Sequence, residues 1–383
     1  MTQSETVLLS LIKKSLFGTD EFIPADTDWN AVLKEAELQA VLGIVTAALP
    51  QECPSEIKTK WQTTEYQRIA QQVRYWNAHD QLDQLLTEHK IPYVILKGAA
   101  AAMYYPIPSR RVMGDIDFLV PPEHFDTAKQ ILIENGYSPN HESIDRHIGF
   151  SKNHVSFELH RHFSYSDLYL EDAVLSGLSH AERKDVDGHH FPVLPVAENG
   201  LVLLAHLWSH LHSGVGMRQA IDWMMFVHAH LDDNLWNKAF SKLARDHGLE
   251  KLAITATQMC HQYFGLPCSC SWFAGADETL CDDLFSQILR SGNFGRKAKT
   301  DLAASKILDA LSRIHRYGLF HQLQQRGEAN WKAFQKHPWL KPFAWLYQLF
   351  RYPILWLTMP KKQKLSSLIQ RENETNNLLK RLK

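Results

Sequence analysis

Cysteine is scarce: five in 383 residues, Cys53, Cys260, Cys268, Cys270 and Cys281. An odd number in so large a chain argues against a disulfide framework. The close pair Cys268 and Cys270 lacks the paired CxxC spacing of a structural zinc site, so buried or incidental thiols are expected. Long apolar runs are also missing, and no uninterrupted stretch approaches the ~20 residues that span a bilayer. The short run from Val7 to Ile12 follows Glu5 and precedes Lys13 and Lys14, an order opposite to that of a secretory signal. The cytoplasm is the expected compartment. Net charge is nearly absent, with 41 Lys and Arg against 42 Asp and Glu. Such a balance supplies no global field for drawing in long nucleic acid. The chain shows no internal repeat and no low-complexity tract. What remains is 45% hydrophobic and 22% charged, the composition of a globular protein long enough for two or three domains.

Periodicity divides the chain. Helical spacing dominates residues 1–88, where Ala31, Leu33 and Ala36 recur with Leu38, Val41 and Leu42, and Ile69 to Leu86 continues the pattern. A mixed segment, 89–196, follows. Ile91 to Leu96 is β-prone and ends at Lys97-Gly98; an alanine-rich helix is predicted from Ala99 to Tyr105, stopped by Pro106 and Pro108. A second strand is predicted over Ile116 to Val120, then a helix from Pro121-Pro122 to Asn135, closed by Gly136. His147 to Lys152 and Val155 to Phe163 read as a hairpin around Asn153-His154, with a further strand near His190 to Leu194. From Glu198 to about Gln325 the pattern is helical again, giving a helical segment over 197–330. The last segment, 331–383, carries eleven Lys or Arg against two Glu, so it is +9 and the rest of the chain is −10. Its aromatic run from Trp339 to Trp356 suits either packing over the acidic body, the favoured reading, or peripheral contact with an anionic membrane. The predicted class is α+β, a small mixed sheet with helices, embedded between N- and C-terminal helical domains.

Chemistry concentrates in the mixed segment. In Gly114-Asp115-Ile116-Asp117-Phe118 the alternation of a strand puts Asp115 and Asp117 on one face and Ile116 and Phe118 on the other. Two carboxylates held side by side repel, so one tends to keep its proton unless a divalent cation joins them. In Val155-Ser156-Phe157-Glu158-Leu159-His160 the apolar residues share one face and Ser156, Glu158 and His160 the other. If this strand lies beside the first, Glu158 completes a three-carboxylate site. At Lys97-Gly98-Ala99 a glycine permits close approach of the backbone, and the amides opening the following helix suit an anion.

These elements resemble the polymerase-β-type nucleotidyltransferase superfamily, and more closely the uncharacterised nucleotidyltransferase family, in which an Ile-Pro to Leu-Lys-Gly turn precedes Arg-x-x-x-Asp-Ile-Asp. Here the two motifs are Ile91 to Gly98 and Arg111 to Asp117, and the likeness is motif-specific over Ile91 to His160. The resemblance implies transfer of a nucleoside monophosphate from a nucleoside triphosphate such as ATP to an acceptor hydroxyl, with pyrophosphate leaving. It implies two magnesium ions, or manganese in their place, held by Asp115, Asp117 and Glu158. Lys97, Gly98, Ala99 and Arg111 are then the nucleotide-binding positions. Gly98-Ala99 departs from the usual Gly-Ser of the superfamily, which removes a hydroxyl from the phosphates, and the interval from Gly98 to Asp115 is longer than usual. The acceptor is not named by any motif. A nucleotide-binding regulatory or toxin–antitoxin-type protein with little turnover is the alternative expectation.

Two further features stand outside those motifs. His206 and His210 lie one helical turn apart but without the glutamate of HExxH. In the resembled family a histidine-bearing helix is followed by a segment ending in Asp, which makes Arg218 and Asp222 candidates for facing the nucleotide. For each of these, packing at a helix edge is an equal expectation.

Overall fold

The computed structural model describes residues 1–142, 147–165, 168–297, 318–331, 337–357 and 365–383. The chain opens with α1 (Gln3–Phe17), α2 (Trp29–Leu38), α3 (Leu42–Val45) and the long α4 (Ser55–Glu88). The ends of α1 are set locally. The Thr2 hydroxyl accepts from the Glu5 amide while the Glu5 carboxylate accepts from the Thr2 amide, and Gly18 closes the helix at φ 71°. The mixed segment interleaves α5 (Gly98–Ala102), α6 (Phe125–Glu134) and α7 (Glu171–Ser179) with nine strands among the described residues. These are β1 (Val94–Leu96), β2 (Ile116–Leu119), β3 (Ser138–Glu142), β4 (His147–Lys152), β5 (Val155–His160), β6 (Ser164–Tyr165), β7 (Leu168–Tyr169), β8 (Glu182–Val186) and β9 (His189–Val193). Then come α8 (Val196–Ser213), α9 (Met217–His230), α10 (Asp233–Leu235), α11 (Ser241–Asp246), α12 (Glu250–Phe264) and α13 (Glu278–Ser291). Later helices cover Leu319–Asn330, Ala344–Leu357 and Leu365–Leu382. The fold is thus α+β.

Seven strands form one mixed sheet in the order β3-β4-β5-β2-β1-β9-β8. The β2–β5 and β1–β9 pairs are parallel and the other pairs antiparallel. The predicted hairpin is β4–β5, and its turn residues Asn153 and His154 both take positive φ, 51° and 62°, as a two-residue turn of this hand requires. Beside the short β6–β7 pair, two strands of this sheet went unpredicted. Both β3 and β8 are the sheet's outer strands, and Ser-Pro-Asn-His-Glu and Glu-Arg-Lys-Asp-Val are the polar, charged sequences that keep an edge from pairing with another chain. Several predicted boundaries contract: the first strand to Val94–Leu96, the alanine helix to Gly98–Ala102, and the Val155 strand to His160. Part of the helical reading from Glu198 to Gln325, residues 298–317, lies outside the described residues.

Strand alternation gives the sheet two distinct faces. Ile95, Ile116, Phe118, Phe157 and Leu159 pack with Leu82 and Leu86 of α4 and Phe125 and Leu132 of α6. On the opposite face Val94, Leu96 and Leu119 join a larger core with Leu201, Leu204 and Trp208 of α8 and the buried side of α9. That core also takes in Val7, Leu8 and Leu11 of α1, so N- and C-terminal helices share it. The final helix of the basic segment packs on the body: Leu378, Leu379 and Leu382 are buried, Arg381 pairs with Asp283, and Arg290 pairs with Glu374 at 2.5 Å. Trp339, Phe343 and Phe350 are exposed. No helix among the described residues is long and apolar enough to cross a membrane.

Candidate active site

The site forms where β1, β2 and β5 lie side by side. Leu96 at the end of β1 is in register with Asp117, and Asp117 is in register with Glu158 across the parallel β2–β5 pair. Since Asp117 and Leu119 share a face, the carboxylate projects towards the helical core rather than towards α4 and α6. Lys97 follows β1 directly and donates from Nζ to Asp117 Oδ1 at 2.8 Å. His160, on the same face of β5 as Glu158, brings Nε2 to 2.9 Å from the same oxygen and to 3.6 Å from Glu158 Oε2. His147, opposite His160 in the β4–β5 register, stands 3.8 Å from Glu158 Oε1. One ligand atom each from Asp117, Glu158 and His160 lies within 4.8 Å of the others.

Asp115 precedes β2 and lies outside that tight group. Its carboxyl is half-buried, and burial together with the charge of Asp117 pushes its pKa up from 3.8 to about 6, against the opposing charge of Lys97. Asp117 goes the other way. Burial raises it, but the ammonium of Lys97 and the hydrogen bond from His160 outweigh burial and hold it well below the usual range. Burial alone would lower His160, and its hydrogen bonds to Asp117 and Glu158 raise it instead. The two aspartates therefore divide as the like-charge argument requires: Asp117 stays ionised and Asp115 is the reluctant anion.

The donor set fits a divalent cation. Asp117, Glu158 and His160 each bring one ligand atom into that tight group, and an added positive charge relieves the repulsion that, with burial, raises Asp115. His160 was missed as a site residue when the sequence was read. Its only signal was its place two residues after Glu158 on the polar face of the strand.

The residues expected to bind nucleotide are placed less uniformly. Gly98 and Ala99 are buried in the first turn of α5, whose opening amides have no acceptor within the helix. A Cβ at Gly98 would meet its nearest atom, the Asp115 carbonyl oxygen, at 3.6 Å, an ordinary contact. The unusual backbone is at Lys97, with φ 52° and ψ −122°, a conformation that costs a non-glycine residue about 1–3 kcal/mol. Arg111 pairs with α9, and the charge of Asp115 also acts on it. It is buried, and its Nε and Nη2 donate to Asp222 Oδ1 and Oδ2 at 3.0 and 2.6 Å while Nη1 reaches the Val112 carbonyl. Tyr105 donates to Asp222 as well, at 2.7 Å. A guanidinium with every nitrogen satisfied this way ties the loop before β2 to α9. Asp222 is the other half of that tie.

With this geometry in hand, comparison with known families is informative. Residues 25–265 match the model of the family described as uncharacterised nucleotidyltransferases. The chain belongs to that family. The match spans α2 to the end of α12, so it includes the whole sheet and every site residue named above. No curated protein matches the chain. Among solved structures it is similar to an antigenic nucleotidyltransferase-like protein from Paracoccidioides brasiliensis, with 15% identity, 50% of this chain and 96% of that one covered, and a TM-score of 0.31. Of the five cysteines in this family member, Cys53, Cys260 and Cys281 are buried and all are free thiols.

Proposed function

We propose that this nucleotidyltransferase moves a nucleoside monophosphate from a nucleoside triphosphate to an acceptor hydroxyl and releases pyrophosphate. The observation that carries the reading is the register of Asp117 with Glu158, with Lys97 at the end of the neighbouring strand on the same face. Asp115, Asp117 and Glu158 would hold the divalent ions, which when bound neutralise the polyphosphate and favour ionisation of the acceptor hydroxyl. Lys97 has two states available: paired with Asp117, as here, or turned towards phosphate oxygens once Asp117 is otherwise engaged. His160 keeps Asp117 ionised and orients it through the hydrogen bond from Nε2. The first amides of α5, at Gly98 and Ala99, supply backbone donors to phosphate where the superfamily's serine is absent. Arg111 and Asp222 hold the Asp115 loop against α9. The acceptor is a small molecule, a sugar, a peptide or a protein side chain; a near-neutral chain is a poor match for a long polyanion.

The test is incubation of the full-length protein with each labelled nucleoside triphosphate and magnesium alongside a cell extract, followed by a search for a labelled acceptor and released pyrophosphate. Glu158→Gln keeps side-chain volume and is expected to lower turnover at least a hundredfold while nucleotide affinity falls only several-fold, the pattern of an interaction realised in the transition state. Parent-like turnover in Glu158→Gln would remove the third carboxylate from the reaction. Tight nucleotide binding with no transfer from any of the four nucleotides would favour the regulatory reading instead.

A further inference from the structure

The helical side of the cleft holds more buried polarity than the fold uses. On α8, His206 and His210 sit one turn apart with their Nε2 atoms 2.9 Å from each other, and Nδ1 of the buried His210 makes no hydrogen bond of ordinary geometry, although the Gly214 backbone lies close enough to act on the ring. From the first turn of α9, Arg218 is buried as well; its Nη1 donates to the Val112 carbonyl at 3.1 Å, while its Nε has no partner. Leaving a buried donor unmatched costs about 1–3 kcal/mol. Two such atoms stand here within one side-chain cluster.

Phe294 covers them. Its ring centroid is 5.0 Å from that of His210 and 5.5 Å from the Arg218 guanidinium carbon. It is partly exposed and sits at φ 55°, a conformation disfavoured for a bulky side chain. The surrounding backbone imposes it: a Cβ at Gly214 would fall 2.0 Å from the Gly295 nitrogen, and one at Gly216 would fall 2.7 Å from Asn293. Gln219 locks the same turn, donating to Asn293 Oδ1 at 2.8 Å and accepting from the Gly216 amide at 3.0 Å.

The charge around this cluster selects the ligand. Lys97 and Arg218 act on both imidazoles, Asp117 opposes them weakly, and Asp115 lies within reach of Arg218. Burial and those cations hold His206 well below its ordinary pKa and His210 down to about 3, so both rings are neutral and each carries one N–H. The histidine spacing would suit a metal chelate, but a cation would enter a field made by an ammonium and a guanidinium. An anion with several acceptor oxygens suits the groups left over: the Arg218 nitrogen without a partner and the one imidazole N–H not used between the two rings, with Lys97 adding favourable charge from its place beside Asp117.

We propose that His206, His210 and Arg218, covered by Phe294, bind the terminal phosphates of the nucleoside triphosphate. The inference rests on the nucleotidyl-transfer reading for the identity of the ligand, and on these residues alone for its chemistry. Arg218 supplies the charge, the imidazole N–H not used between the rings supplies a neutral donor, and Phe294 caps the cluster.

The experiment is calorimetric titration of the full-length protein with inorganic triphosphate in the presence of a chelator, so that the carboxylates and their cations play no part. The parent is expected to bind. Arg218→Gln and His210→Leu are expected to weaken binding at least tenfold, whereas Lys242→Gln, at an exposed lysine of α11, leaves it unchanged. No binding by the parent, or equal binding by the parent, Arg218→Gln and His210→Leu, overturns the proposal. Should a buried substitution prevent folding, the ring-nitrogen resonances of the histidines in the parent decide. Triphosphate must shift those of His206 and His210, and their constancy at saturation refutes the site. Loss of this site alongside intact, Asp117-dependent turnover would sink this inference alone. Triphosphate binding as described, with no transfer from any nucleotide, would sink the transferase reading alone.

Discussion

Asp115→Asn offers the sharpest test of how the two aspartates share their charge. The carboxyl of Asp115 holds its proton more tightly in the fold than in the unfolded chain, with a pKa of about 6 against an ordinary 3.8. Below pH 3.8 both states are protonated and the group has no effect on stability. Between 3.8 and about 6 the unfolded chain ionises first, so stability falls as pH rises, and above 6 the penalty is constant. A shift of this size corresponds to about 2–3 kcal/mol. Asparagine keeps the shape and removes the charge, so the variant should be more stable than the parent by that amount at pH 8 and equal to it at pH 4. For cooperative unfolding of the whole chain this is a rise in Tm of about 3 °C. The assay is thermal melting of both proteins at pH 4, 6 and 8 with a chelator, then again at pH 8 with millimolar magnesium. Magnesium should raise the parent's Tm and leave that of the variant nearly unchanged, because binding to the folded state adds stability by mass action. A gain that is the same at pH 4 and pH 8, or no gain at all, would refute the assignment of Asp115 as the strained anion.

Asp117→Asn should behave oppositely. It leaves Lys97 and His160 without their shared carboxylate oxygen, and breaking a buried pair from one side costs about 3–5 kcal/mol, so melting at pH 7 should fall rather than rise. The depressed pKa of Asp117 means that its stabilisation is present above pH 4 and fades only as pH drops towards its lowered folded value. A variant with an unchanged Tm would show that the Lys97 contact contributes nothing. Leu382→Ala removes a fully buried side chain from the last turn of the C-terminal helix, and should cost about 2–5 kcal/mol in urea denaturation. An effect below 1 kcal/mol would mean that this helix is not part of the cooperative core.

Local sequence determined most of the sheet's interior and the acids upon it. In Val155 to His160 the apolar residues recur with period two, and in Ile116-Asp117-Phe118-Leu119 the acid stands between apolar neighbours on a strand buried on both faces, so each run declares its strand without distant information. The Asn153-His154 turn is equally local. The two edge strands were invisible because their polarity is a response to solvent on an unpaired side, and only the sheet order reveals which strands are edges. The site divides in the same way. Asp115, Asp117 and Glu158 could be named from pattern, but their neighbourhood depends on β2 lying parallel to β5, a pairing of residues some forty positions apart. Partner choice lay further from reach. Lys97 and Arg111 lie near the acids in sequence while His206, His210 and Arg218 lie far along the chain, and composition treats them all alike. Tertiary packing decided that Lys97 meets Asp117 and that Arg111 is consumed by Asp222. It also left Arg218 and His210 buried with a nitrogen unspent. Burial and charge–charge distance are properties of the assembled chain, and they decide which cation is an anchor and which remains available for a ligand.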